Sequence, residues 1–180
     1  MSAGLGPVLL RDALAADFAQ IVALNDASVH FTSPMDIARL TQLHEHAAYH
    51  RVVTSDAEVL AFLLAFREGA PYDSPNYQWF EREYRRFLYI DRIVVSAQAR
   101  GANLGTRLYE DVFAFAAAAG VTRVTCEYDL DPPNPMSERF HQRHGFREVG
   151  RQWLGGGKKQ VSLQLRELHP RGSGSASTPV

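Results

Sequence analysis

Val94-Val95-Ser96-Ala97-Gln98-Ala99-Arg100-Gly101-Ala102-Asn103-Leu104-Gly105-Thr106-Arg107-Leu108 joins an apolar strand to a polar loop and then to an amphipathic helix. Two glycines, Gly101 and Gly105, let the backbone approach a ligand closely, and the free amides at the start of the helix attract anions. Arg100 adds a fixed positive charge to the same turn. The segment reads as a cradle for phosphate or pyrophosphate, or else as a tight strand-to-helix turn that binds nothing. It is not a Walker A loop, since no Gly-Lys-Ser/Thr follows, and it lacks the G-x-G-x-x-G of dinucleotide-binding proteins.

The flanks place this turn in a mixed α/β chain. Residues 87–95 read as the clearest strand, and the helix over residues 104–119 is closed by Gly120. A strand over 121–128, a stiff Pro-rich connection, a short helix over 137–144 ended by Gly145, and strands over 146–153 and 158–166 follow. Upstream, residues 8–12 and 49–54 read as strands, and 59–66, apolar on both faces, as a central one. Helices are expected from Ala15 and from Met35, separated by the Thr32-Ser33-Pro34 break. Residues 77–86 mix aromatic and charged side chains. One domain over residues 1–168 is expected, with a disordered Ser/Gly/Pro-rich tail over 169–180.

Composition narrows the function. The chain has 180 residues, 46% hydrophobic and 22% charged, with a net charge of −1. That charge offers no global field for nucleic acid or an anionic membrane. The longest apolar runs, 59–66 and 112–119, are far shorter than the roughly 20 residues of a membrane-spanning helix. A single cysteine, Cys126, precludes an intrachain disulfide and reads, mid-strand, as an inert buried thiol. Residues 1–7 show neither the basic cluster nor the apolar core of a secretory signal, so a cytoplasmic location is expected. His44, His46 and His50 lack a carboxylate or cysteine to complete a tetrahedral set; they read as a solvated or partner-facing surface, and no metal is expected.

Gln98-Ala99-Arg100-Gly101-Ala102-Asn103 resembles the acetyl-CoA loop of the GNAT acyltransferase superfamily, Q/R-x-x-G-x-G/A, with Asn103 where Gly or Ala is usual. Gly105 matches the small residue that commonly opens the next helix. Asn134 and Phe140-His141-Gln142-Arg143-His144-Gly145-Phe146 follow in the family's order, with His141 where Tyr is usual. The resemblance spans residues 8–168. It implies a single α/β domain whose mixed, mostly antiparallel sheet of about seven strands splays at the fourth and fifth, flanked by about four helices.

The resemblance also implies direct transfer of an acetyl group from acetyl-CoA to a primary amine in a ternary complex. Ile93, Val94, Val95, Gln98, Arg100, Gly101, Ala102, Asn103, Leu104, Gly105, Thr106 and Asn134 would bind the cofactor, with an amide of residues 93–95 meeting the thioester oxygen. His141 would protonate the departing thiolate as an imidazolium, its ordinary pKa being about 6.5. Glu127, favoured, and Asp91, read as sharing strand parity with Ile93 and Val95, are the candidate bases. The bland reading pairs each carboxylate with an arginine such as Arg92 or Arg123. Phe31, Tyr72, Tyr77, Trp79 and Tyr84 are the candidate acceptor contacts, and the resemblance implies that residues 77–86, before the fourth strand, form a lid over the acceptor pocket. A small-molecule amine is the expected acceptor, a protein amine the other; nucleic acid and membranes are not expected partners, and a homodimer is left open. The rival reading is a non-catalytic acyl-CoA sensor or interaction module of the same fold.

Overall fold

Two apolar runs rich in aromatic and β-branched residues make residues 87–95 a strand, and burial on both faces makes it an inner one. In the computed structural model of the chain, which describes residues 6–28 and 32–169, the sheet has seven strands in the order β1-β2-β3-β4-β5-β7-β6. They are β1 (Val8–Asp12), β2 (Tyr49–Ser55), β3 (Glu58–Arg67), β4 (Leu88–Val95), β5 (Arg123–Asp131), β6 (Arg147–Leu154) and β7 (Lys159–Glu167). The five α-helices among the described residues are α1 (Phe18–Asp26), α2 (Ile37–His46), α3 (Pro75–Glu83), α4 (Leu104–Ala118) and α5 (Pro135–Arg143). Neighbouring strands are antiparallel except β4 and β5, which run parallel. No helix among the described residues is long and apolar enough to cross a membrane.

The sheet separates two cores. On one face Leu104, Leu108, Tyr109 and Val112 of α4 pack on Leu88, Ile90 and Val124, with Phe140 of α5 alongside. On the other, Phe18 and Ile21 of α1, Leu40 and Leu43 of α2, and Tyr77 and Phe80 of α3 cover Phe62, Leu64, Phe66 and Tyr89. The single α/β domain and its mixed sheet match the sequence reading. The stretch read as a lid is largely a helix, α3. Ser74 accepts from the Tyr77 amide and Pro75 occupies the first turn, so the helix has a capped start that the aromatic and charged mixture disguises. His50 is another correction. Instead of facing solvent it is buried, its Nδ1 2.8 Å from that of His44 and its ring stacked on Phe18. Of the expected tail, only His169 falls within the described residues.

β4 contains an inserted residue. Leu64 of β3 faces Arg92 and Ala65 faces Ile90, which leaves Asp91 without a partner across the pair. This bulge changes the phase of the strand. Ile90, Ile93 and Val95 all reach the α4 core, whereas Tyr89 and Val94 lie in the opposite one. The expected parity of Asp91 with Ile93 and Val95 is thereby corrected.

On the outer strand, Gly150 of β6 lies against Trp79 of α3, and an added Cβ would sit 2.7 Å from the indole Cζ2. Gly150→Ala is expected to cost about 1–3 kcal/mol through overpacking, read as a lower urea midpoint; an unchanged midpoint would mean that Trp79 swings aside freely.

Candidate active site

Only Leu88 with Val124 and Tyr89 with Thr125 pair β4 to β5. Past them the strands part, and a cleft of about 930 Å³ passes between the two faces of the sheet. On the α4 face it is lined by Val95, Arg100, Gly105, Tyr109, Asn134 and His141, and on the other by Thr32, Arg39, Tyr72 and Asn76.

The α4 side is built for an anion. Gly101 has φ +87° and Asn103 φ 57°, so the loop turns left-handed twice before α4 begins. The Asn103 side chain does not cap the helix, which leaves the first-turn amides without a side-chain partner. Arg100, Arg139 and Arg143 line this half of the cleft, and none takes part in an ion pair among the described residues. Sequence reading missed Arg139 and Arg143; their spacing of four on one short helix was the available signal. Together these groups fit a phosphorylated ligand such as coenzyme A.

Not every expected cofactor residue reaches the cleft. Ile93, Val94, Val95, Arg100, Gly105 and Asn134 line it. Gly101, Ala102 and Asn103 continue the exposed turn beyond Arg100. Leu104 is core, the Thr106 hydroxyl meets His144 Nε2 at 3.3 Å, and Gln98 turns away to donate to Glu58. The Asn134 side chain accepts from the Ser137 amide and caps α5. Gly105 is small for a packing reason, since a Cβ there would lie 3.3 Å from the Phe140 ring.

Carboxylates hold the other wall. Glu127 Oε1 accepts from Asn76 Nδ2 and from the Tyr89 hydroxyl, both at 2.9 Å. Its Oε2 is buried with no partner. Burial, reinforced by nearby Asp91, pushes the Glu127 carboxyl up to about 8. Asn76 is fixed in turn by Gln152, which donates to its Oδ1 at 3.0 Å. Asp91 follows the bland reading: Arg92 Nε donates to it at 2.6 Å and the Tyr72 hydroxyl donates to its other oxygen. Arg92 also donates to Asn25 Oδ1 at 2.9 Å and to the Ser33 carbonyl at 3.1 Å.

His141 departs from expectation. It is 4% exposed, and its Nδ1 lies 2.7 Å from the Ser137 carbonyl oxygen, a contact that requires the proton on Nδ1. Nε2, 3.0 Å from the Tyr109 hydroxyl, therefore accepts from it. Burial pushes the imidazole down to about 4, so at neutral pH the side chain is an uncharged acceptor rather than the expected imidazolium. Tyr109 lines the cleft on α4; in the sequence it is indistinguishable from its apolar neighbours.

Of the expected acceptor contacts, Tyr72 lines the cleft. Tyr77 lies in the core, its hydroxyl donating to the Arg67 carbonyl at 2.8 Å. Trp79 covers Gly150, and Tyr84 carries the Arg123 guanidinium 5.6 Å from its ring centre. α3 turns Tyr77 toward the core and Trp79 toward β6, while Tyr84, just past the helix, meets the start of β5. Phe31 lies outside the described residues.

The sheet is thus split at one parallel pair, with an arginine-lined turn on one side and a buried carboxyl on the other. The acetyltransferase (GNAT) family model matches residues 8–146, and the chain belongs to that family. No curated protein sequence matches it. Among solved structures, Ard1 from Thermoplasma volcanium superposes with TM-score 0.73 at 15% identity, covering 90% of this chain and 98% of its own. An N-acetyltransferase from Staphylococcus aureus Mu50 gives 0.68 at 20% identity, over 91% and 100%. The ribosomal-protein-S18-alanine N-acetyltransferase from Escherichia coli gives 0.68 at 12%, over 93% and 98%.

Replacing Gly101 tests the turn. At φ +87° any L side chain is strained, and the space around it is open. Gly101→Asp is expected to retain the circular dichroism of the parent while losing coenzyme A affinity tenfold or more in calorimetry, about 1.4 kcal/mol; undiminished affinity would remove the turn from the site.

Proposed function

We propose that this acetyltransferase moves an acetyl group from acetyl-CoA to a primary amine of a small molecule by direct attack in a ternary complex. The observation that carries the reading is the buried Oε2 of Glu127, without a partner among the described residues, beside a cleft whose opposite end offers three arginines that form no ion pair among those residues. Acetyl-CoA, when bound, supplies a thioester whose carbonyl carbon takes the amine nitrogen and whose sulfur leaves. Arg100, Arg139, Arg143 and the α4 amides bind its phosphates. The Ser96 amide donates to the Leu60 carbonyl on β3, so by alternation the Val95 amide points into the gap, a donor for the charge that develops on the acyl oxygen.

Glu127 takes the proton of the attacking ammonium. Amines titrate near about 10, and a carboxyl raised toward that value is a better base than an ordinary one. The Tyr109 hydroxyl is the donor to the departing thiolate on the cofactor face: its single O–H, which rests on His141 Nε2, turns to the sulfur, and the proton that Glu127 has taken restores the phenol as products leave. Asp91, already bonded to Arg92 and Tyr72, positions the bulged strand. A protein amine is the other acceptor to assay, and the cytoplasm is the proposed location.

Glu127→Gln is expected to lower kcat/KM by about 10² or more and to abolish the rise in activity near pH 8, with coenzyme A affinity unchanged. The same variant has a thermodynamic signature. A carboxyl whose folded pKa is raised from 4.5 to about 8 makes the parent less stable as pH climbs through that interval, because the unfolded chain ionises first. Urea midpoints at the two ends should show that decline in the parent and less of it in the variant. Tyr109→Phe should reduce kcat with little change in the KM for acetyl-CoA; full turnover would remove Tyr109 from proton delivery.

A further inference from the structure

Charge in the acceptor half of the cleft is balanced pair by pair. Arg39, Arg92 and Lys159 line it, as do Asp73, Asp91, Glu127 and Asp129. Arg39 pairs with Asp73, Arg92 with Asp91 at 2.6 Å, and Lys159 with Asp129 at 2.9 Å. Among the described residues lining this half, Glu127 alone is left over, with an oxygen that nothing satisfies. The cofactor half is the reverse, with three arginines that form no ion pair among the described residues.

We propose that the acceptor is a monocation, one primary ammonium on an uncharged and partly apolar body, and that amines carrying a carboxylate are turned away. The inference rests on the reading of Glu127 as the group that meets the amine. A carboxylate on the acceptor needs a cation, and each one is engaged. Arg92 is committed through Nε and Nη1 to Asp91, Asn25 and Ser33. Drawing it or Lys159 away would strand a buried carboxylate, since the Asp91 and Asp129 side chains are only 5% and 7% exposed. The outer pair is looser, but capturing Arg39 merely exchanges one carboxylate for another. Asp73 remains tethered next to Tyr72, over whose ring the Arg39 guanidinium sits at 5.7 Å, and repels the newcomer. Tyr72, Pro34, Pro75, Leu154 and Val161 offer the uncharged remainder of the wall. A peptide N-terminus meets the same description, because a neutral amide follows its amine.

Asp73 is then the residue that sets the discrimination. Phenethylamine, phenylalanine amide and phenylalanine differ only in the substituent beside the nitrogen: hydrogen, neutral amide or carboxylate. Thiol release from acetyl-CoA and equilibrium binding in the presence of coenzyme A are measured for all three. The first two should exceed phenylalanine by about tenfold or more in both kcat/KM and affinity. In Asp73→Asn, which frees Arg39, the deficit of phenylalanine should shrink to about threefold or less, and Arg39→Gln combined with Asp73→Asn should restore it. Phenylalanine matching phenethylamine in the parent, an unchanged deficit in Asp73→Asn, or no measurable binding of any of the three would overturn the inference. Preferential binding without thiol release would instead overturn the reading of Glu127 as a base and leave the charge selection standing.

Discussion

Two residue pairs hold β4 to β5, and the molecule is organised around the place where that pairing stops. A strand left without its neighbour exposes amides and carbonyls that must find other partners. Here the vacated edge faces a cleft instead of another strand, so backbone groups that would have served the sheet are available to a substrate. The gap also joins two compartments that the sheet otherwise isolates. Arg100, Arg139 and Arg143 belong to the face covered by α4 and α5, and the carboxyl of Glu127 to the face covered by α1, α2 and α3. Two substrates can thus approach from opposite sides and meet at the split.

Keeping such a gap dry and polar is costly. Glu127 is held near neutrality by burial, and Asp91 and Arg92 form a nearly enclosed ion pair beside it. Neither arrangement is a source of stability in itself. What holds them is the surrounding framework: β3, buried from Val59 to Phe66, and side chains brought in from distant helices. Asn25 of α1 and Asn76 of α3 each bond one of these groups. The site is consequently over-determined by elements remote in sequence, which is how destabilising chemistry persists inside a stable domain.

Much of this was legible in the sequence, and the limits have physical causes. The strand, the loop through Gly101 and the helix that follows could be read because glycine and left-handed turns leave a local signature. The charge of Arg100 and the isolation of Glu127 among apolar strand residues were local too. α3 was obscured because its inward residues, Tyr77 and Phe80, are interleaved with charges that suggest a surface loop. The state of His141 depends on a carbonyl one turn away and on a hydroxyl from another helix, so neither its burial nor its tautomer is encoded locally. The bulge at Asp91 escaped for a different reason: where both faces of a strand are buried, alternation carries no record of an extra residue.

That bulge gives β4 a property that substitutions do not probe. Before Asp91 the strand follows one alternation, and after it the opposite one, with Ile90 and Ile93 on the same side. Excising one residue between Tyr89 and Ile93 would restore a regular ladder with β3 at modest local cost. If that residue is Asp91, then Arg92, Ile93, Val94 and Val95 keep their faces and their β3 partners, and what is lost is the carboxylate that Arg92 and Tyr72 bond. The extra position is therefore how the strand carries a carboxylate outside its ladder: a chain shortened by Asp91 would keep the β3–β4 pairing and lose the anchor shared by Tyr72 and Arg92.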